Sequence, residues 1–275
     1  MTEKRRSRTE TNQTSQKPKK KKVKYKIHWL RILLAVIIVG GIIGCGVVAG
    51  AVFSIAKDTP DLDSIDLDSY AVTTAVLDKD GVQVGNLHAG ENRVPVEYHE
   101  ISPNVINALI AIEDQRFREH KGIDPIRIGG AMVANLKAGK VVQGGSTITQ
   151  QLAKQLWSPR ANNIFERALQ KPIEWVIATK LERLYSKEEI LTMYLNQFDF
   201  LYNAVGIKSA AQVYFSTTPA DLKLEEAAML VGMCKNPSMY NPRRRPERAL
   251  NRRNTVLDQM CKYDYITKEV RDSLQ

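Results

Sequence analysis

Within ten residues, Glu113, Asp114, Phe117, His120 and Gly122 bring together two carboxylates, an aromatic ring, an imidazole and a flexible backbone position. Ile106, Ile110, Glu113 and Phe117 recur at i, i+4, i+7 and i+11, which places a carboxylate in the apolar stripe of a helix. An apolar wall disfavours the charged form of a carboxyl and moves it toward proton exchange with a hydroxyl near neutral pH. A Glu-Asp pair at a helix end also fits a solvated or ion-paired surface group, and this segment alone does not separate the two. Further on, Gly144-Gly145-Ser146-Thr147 opens a helix whose first turn carries hydroxyls, with Gln150, Gln151 and Lys154 behind it. Free N–H groups and the positive end of a helix dipole make such a start a seat for phosphate, and Thr147 and Gln150 have the spacing of a capping box. A P-loop fails here, because Gly145-Ser146 stands where Lys-Ser/Thr is required. Lys171-Pro172-Ile173-Glu174 supplies a second acid, placed near a helix start by the proline.

The elements that must hold these groups are helical. Ser102-Pro103 is a cap followed by proline at the first helical position, and the stripe predicts a helix over 103–119 that ends at a Gly122 C-cap. Further helices are expected at 125–138, 147–157, 162–183, 187–196, 204–214, 224–233, 246–262 and after Thr267. Val72–Leu77 and Val82–Leu87, joined by Asp78-Lys79-Asp80-Gly81, read as a small β-hairpin. The apolar stretch from Ile123 to Val142 fits either a core helix or a surface that enters lipid.

Composition narrows the setting. The formal charge of +10 belongs to a tail: residues 1–26 hold eleven Lys or Arg against two Glu, which leaves 29 basic and 28 acidic residues elsewhere. That tail is too polar to bury a core and is expected to be disordered. From Ile32 to Ala56 there is no charge, enough chain at about 1.5 Å per residue to cross roughly 30 Å of hydrocarbon. The cations precede the run, so 1–26 is expected in the cytoplasm, 27–56 in the membrane, 57–70 as a linker and the rest outside. The run is longer than a cleaved signal peptide requires, and it continues past the lipobox-like Ile42-Ile43-Gly44-Cys45. Gly40 and Gly44, like Gly46 and Gly50, have the spacing that lets membrane helices pair closely. Cys45, Cys234 and Cys261 show no metal-site spacing, and a Cys234–Cys261 bridge is one option.

Five motifs stand in order: Glu113-Asp114-x-x-Phe117-x-x-His120-x-Gly122; Gly145-Ser146-Thr147-Ile148-Thr149-Gln150-Gln151-Leu152-x-Lys154; Lys171-x-x-Glu174; Lys187-x-x-Ile190-Leu191-x-x-Tyr194-Leu195-Asn196; and Arg252-Arg253-x-x-Val256-Leu257. Together they resemble the peptidoglycan glycosyltransferase domain (glycosyltransferase family 51) of class A penicillin-binding proteins. The resemblance implies a mainly α, lysozyme-like, two-lobed domain over 71–265, with 266–275 opening a linker to a transpeptidase domain that is not in this sequence. It implies polymerisation of lipid II into β-1,4-linked glycan with release of undecaprenyl pyrophosphate. Glu113 would be the general base and Glu174 the donor-side acid, with Asp114, Phe117, Ser146, Thr147, Gln150, Gln151, Lys154, Lys171, Asn196 and Arg252 on the substrate. No protein metal site is implied, although a divalent cation, Mg or Mn, has a place at the pyrophosphate. Implied partners are the growing glycan, membrane lipids and other cell-wall synthesis proteins or a second copy, without nucleic acid. Two motif positions depart: Gln170 replaces the usual Arg, where Arg167 one turn earlier offers a substitute, and Thr192 replaces the usual Glu.

Two rivals remain at this stage. Paired acids on a lysozyme-like fold also serve glycan-cleaving muramidases and lytic transglycosylases. A membrane scaffold that recruits partners through its basic tail would need neither acid.

Overall fold

The computed structural model of the protein describes residues 29–58, 74–81, 83–87, 92–157 and 164–275. The basic tail, residues 59–70 of the expected 57–70 linker, and Val72, Thr73 and Val82 of the expected hairpin lie outside the described residues, as does the side chain of Arg167.

The first helix, α1, spans Trp29–Asp58 and is 30 residues long, about 45 Å at the usual rise. Among the described residues no helix is long and apolar enough to cross a membrane. In α1 the described side chains are interrupted at Cys45, so the expected crossing at 27–56 falls partly outside them. Strands β1 (Thr74–Leu77) and β2 (Gln83–Leu87) pair antiparallel. Gly81 turns between them at φ +80°, its N–H donating to Asp78 O at 3.1 Å.

The remaining chain is helical: α2 Pro103–Glu113, α3 Pro125–Ala138, α4 Ile148–Trp157, α5 Ile164–Leu184, α6 Lys187–Gln197, α7 Ile207–Phe215, α8 Leu224–Met233, α9 Pro246–Lys262 and α10 Lys268–Leu274. Helix α2 packs on α8 and α9, and α4 packs on α5 and α6. One core joins these groups through Val105 and Leu109 of α2, Ile148 and Leu152 of α4, Leu181 of α5, Ile190 and Leu195 of α6, Leu230 of α8 and Leu257 of α9. Each such side chain contributes about 1.5–3 kcal/mol when removed from water.

Several sequence expectations are corrected. Helix α2 stops at Glu113 instead of running to 119, because Asp114 leaves the helix at φ −160°, ψ 72° and turns its carboxylate inward. Gly122 is therefore no C-cap. It lies at φ +87°, and an added Cβ would stand 2.8 Å from the Ala178 carbonyl oxygen. Helix α5 runs unbroken through Pro172, so Glu174 is mid-helix without a helix start near it. Its buried face, Ile177, Ala178 and Leu181, keeps the helix in place despite the missing proline donor. Helix α7 begins at Ile207 and not at 204, because Leu201, Tyr202 and Asn203 are left-handed and Gly206 follows at φ +83°. Helix α3 is not a core helix: only Ala131 is buried, while Ile126, Met132 and Leu136 are 69%, 61% and 75% exposed. Cys234 and Cys261 are both free thiols, so the optional bridge is absent.

Gly122→Ala is expected to lower stability by at least about 1–3 kcal/mol from its left-handed backbone alone, and further from the close approach to Ala178. The shift of the urea unfolding midpoint measures it.

Candidate active site

Glu113 is the last residue of α2, and its carboxylate points across to α4 and α9. Gln151 Nε2 donates to Oε2 at 3.0 Å, and Arg252 Nη2 donates to Oε1 at 3.3 Å. The side chains of the Glu113–Arg252 pair are only 14% and 10% exposed. These surroundings differ from the apolar wall expected from the helical stripe, since a charged donor and an amide meet the two oxygens. Each oxygen keeps a further lone pair for a hydroxyl. Arg252 is itself steered: its Nε donates to Gly232 O at 3.4 Å, and its guanidinium lies 5.7 Å from the Tyr240 ring centre.

The pair opens into a cleft of about 670 Å³ that also receives Arg116, Arg127, Ser146 and Lys235. A cavity of about 910 Å³ lies elsewhere, against Asn196 and the outer face of α6. It is larger but is lined by neither Glu113 nor Glu174, whereas Glu113 lines the smaller cleft.

Asp114, immediately behind Glu113, is fully buried. Its Oδ2 accepts from the Ile148 backbone N–H at 3.0 Å and from His120 Nε2 at 2.9 Å. His120 Nδ1 accepts the Gly122 N–H at 3.2 Å, which assigns the ring proton to Nε2. The carboxylate thus takes the positive end of α4 that the sequence reading reserved for phosphate. Thr147 and Gln150 are buried as well: Thr147 Oγ1 and Gln150 Nε2 donate to Gly122 O at 2.6 and 3.2 Å. Thr147 Oγ1 accepts the Gln150 N–H, but the Gln150 amide does not return the bond, so the capping box is half made. Phe117 is fully buried, edge-on to His120, with Lys187 Nζ 4.3 Å from its ring centre.

Glu174 is 3% exposed and meets the cleft indirectly. Lys171 Nζ donates to Glu174 Oε2 at 2.6 Å and to Ser146 Oγ at 3.1 Å. Glu174 thus reaches the cleft lining through Lys171 and Ser146, and each of the two acids has its own cation. Lys154 is exposed on α4 outside the cleft lining. Asn196 holds Val96 by two backbone bonds, at 2.9 and 3.2 Å.

The structure thus gathers Glu113, Gln151, Arg252 and Ser146 around one cleft, with Lys171 and Glu174 attached at its edge. Asp114, Phe117, Thr147 and Gln150 form the layer behind. The sequence reading missed Arg116, Arg127 and Lys235, because charges scattered over a loop, a helix start and a helix end share no spacing. Among the described residues no three His, Cys, Asp or Glu side chains form a metal-holding group, and Glu113, Glu174 and the cleft-lining Asp124 are each paired with a cation. The donor set therefore does not fit a dedicated divalent cation site.

The protein-family model described as Transglycosylase matches residues 80–261. The chain belongs to that family. It is 43% identical over 216 residues to a penicillin-binding protein 1A of Aquifex aeolicus (strain VF5), covering 78% of this chain and 29% of that protein. It is 41% identical over 266 residues to penicillin-binding protein 1A/1B of Bacillus subtilis (strain 168), covering 94% of this chain and 28% of that one. The chain thus spans under a third of the length of these relatives. A crystal structure of penicillin-binding protein 1A from Haemophilus influenzae aligns with a TM-score of 0.41 and 23% identity, over 74% of this chain and 20% of that one. The five motifs are accordingly those of the peptidoglycan glycosyltransferase domain of class A penicillin-binding proteins.

Asp114→Ala is expected to strand the Ile148 N–H and the His120 Nε2–H, at roughly 1–3 kcal/mol for each buried donor. Chemical denaturation should register this loss, while Glu113→Gln, which keeps the shape of a mostly buried side chain at the cleft mouth, stays near wild type.

Proposed function

We propose that the protein polymerises lipid II into β-1,4-linked glycan strands at the outer face of the cytoplasmic membrane. The observation that carries this reading is an acid held between an amide and a guanidinium at the mouth of a cation-lined cleft. Glu113 takes the proton of the acceptor sugar's 4-hydroxyl. The freed oxygen attacks the anomeric carbon of the growing chain from the face opposite the diphosphate, so the configuration inverts. A C–O bond forms to the acceptor as the C–O bond to phosphate breaks, and undecaprenyl pyrophosphate leaves with the electron pair.

Arg116, Arg127, Lys235 and Lys171 give that diphosphate its counter-charge. Ser146 joins it at the helix start, while Glu174 orients Lys171. A cation-rich cleft suits a diphosphate leaving group better than the neutral glycan of a muramidase. Any Mg or Mn ion would arrive on the diphosphate, and no step above requires it. The groups around α2 and around α4 correspond to the two lobes of a lysozyme-like fold, with the substrate between them.

The uncharged run Ile32–Ala56 and the cations before it support a type II anchor, with residues 1–26 in the cytoplasm and the helical domain outside. The exposed Ile126, Met132, Leu136 and Val141 of α3 and its exit enter the outer leaflet, where the lipid-bound substrate lies. Continuation into a transpeptidase, association with a second copy and contact with other cell-wall proteins belong to the same reading.

Glu113→Gln in the full chain is expected to cut lipid II polymerisation by about 10²–10⁴-fold, the range of lost general-base assistance, with the thermal melt unchanged. Retained polymerisation, or shortening of preformed glycan strands by the wild type, overturns the reading. Leu136→Asp with Val141→Asp is expected to slow polymerisation of vesicle-embedded lipid II by at least about tenfold, since burying each apolar side chain contributes about 1.5–3 kcal/mol and about 1.4 kcal/mol is a factor of ten. The same pair should leave circular dichroism untouched.

A further inference from the structure

A carboxylate can only accept hydrogen bonds, so Gln151 must present its amide nitrogen to Glu113. Its carbonyl oxygen is thereby turned the other way, toward α6. There the hydroxyl of Tyr194 lies 3.1 Å from Gln151 Oε1. An amide oxygen also only accepts, so the phenol must be the donor. The direction of every proton in the series Tyr194, Gln151, Glu113 is fixed by the carboxylate at its end.

We propose that Tyr194 is a positioning residue for the reaction, holding the Gln151 amide in the one orientation that donates to the base. The proposal rests on Glu113 acting as the general base. Without the hydroxyl, the Gln151 amide loses the partner that distinguishes its oxygen from its nitrogen. A turned amide would put its oxygen against the carboxylate, where both groups accept and neither donates.

Tyr194 is built for a fixed orientation. Its residue is fully buried, and its ring packs 6.0 Å from that of Phe198. Burial pushes the phenol well above its ordinary range, with the nearby Cys234 and Glu113 adding to the effect, so the O–H is retained at all working pH. The Cys234 thiol, raised first by burial and then by the Glu113 charge, also stays protonated, and it donates to Leu230 O at 3.7 Å. Neither group therefore titrates against the base. The other charged or titratable groups facing it are Arg252 from α9, Lys235 beyond α8, Arg127 from α3, Arg116 with its partner Asp124, and Tyr263 at the far wall. None of these lies on α6, so removing the Tyr194 hydroxyl changes none of them directly.

The test uses the full chain with lipid II as substrate across a pH series. Tyr194→Phe keeps the ring and removes one oxygen. It should lower kcat roughly tenfold, the scale of one misdirected hydrogen bond, with KM for lipid II within about twofold. The acid limb of the kcat profile should move to higher pH, because the ionised base has lost the support of a directed donor. Gln151→Leu should move the limb in the same direction, and adding Tyr194→Phe to it should change little, since both act through one amide. An unmoved limb in either single variant, or additive losses in the double variant, overturns the role of Tyr194. Polymerisation by Glu113→Gln overturns the general-base reading and the positioning role with it. A moved limb beside an inactive Glu113→Gln supports both.

Discussion

The site hangs on one buried carboxylate. Asp114 sits without solvent contact at the start of α4, taking the Ile148 N–H and the His120 ring proton on a single oxygen. Its other oxygen makes no hydrogen bond and faces Arg127 Nη1 at 3.9 Å. An ionised group in such a place is tolerated only because a helix dipole, a backbone donor, a ring N–H and a nearby guanidinium converge on it. The same contacts fix where the chain can go. Once Asp114 is tied to α4, Glu113 must stand opposite Gln151, one turn further along that helix. The loop to Gly122 is held equally firmly, since Gly122 O receives both Thr147 and Gln150.

Two layers follow from this. The inner layer, Asp114, Phe117, His120, Thr147 and Gln150, is closed and internally bonded, and it gives the outer layer a rigid base. The outer layer, Glu113, Gln151, Arg252, Ser146 and Lys171, is partly open and carries the donors a reacting substrate would meet. Such an arrangement limits the reorganisation needed when charge shifts, because the donors are already aimed. Glu113 and Glu174 look equivalent as letters in the motifs, yet they differ physically. Glu113 faces the cleft, whereas Glu174 lies beneath Lys171 and acts on the site through it.

The exposed face of α3 is the counterpart of this closed interior. Its apolar residues would each favour burial, and nothing in the described chain covers them. A helix capped at both ends, by Asp124 at its start and by left-handed Gly139 at its end, is well defined without core contacts. It can therefore present a greasy surface while remaining folded.

Local signals in the sequence determined a good deal. Caps and prolines set the starts of α2, α3, α6 and α9, and apolar periodicity located nearly every helix, because both act over one or two turns of chain. The motif acids, the amides of α4 and Arg252 were also legible as residue types. What the tertiary structure decided is which of them touch. Helical spacing carried the α2 stripe past Glu113, but a buried contact with α4, 34 residues away, breaks the helix at Asp114. The same contact fills the helix end that local dipole reasoning left free for phosphate. It took the approach of α9, 139 residues on, to give Glu113 a cation in place of an apolar wall. Periodicity reports what one element prefers by itself, whereas a carboxylate's partners come from whichever elements the core brings together.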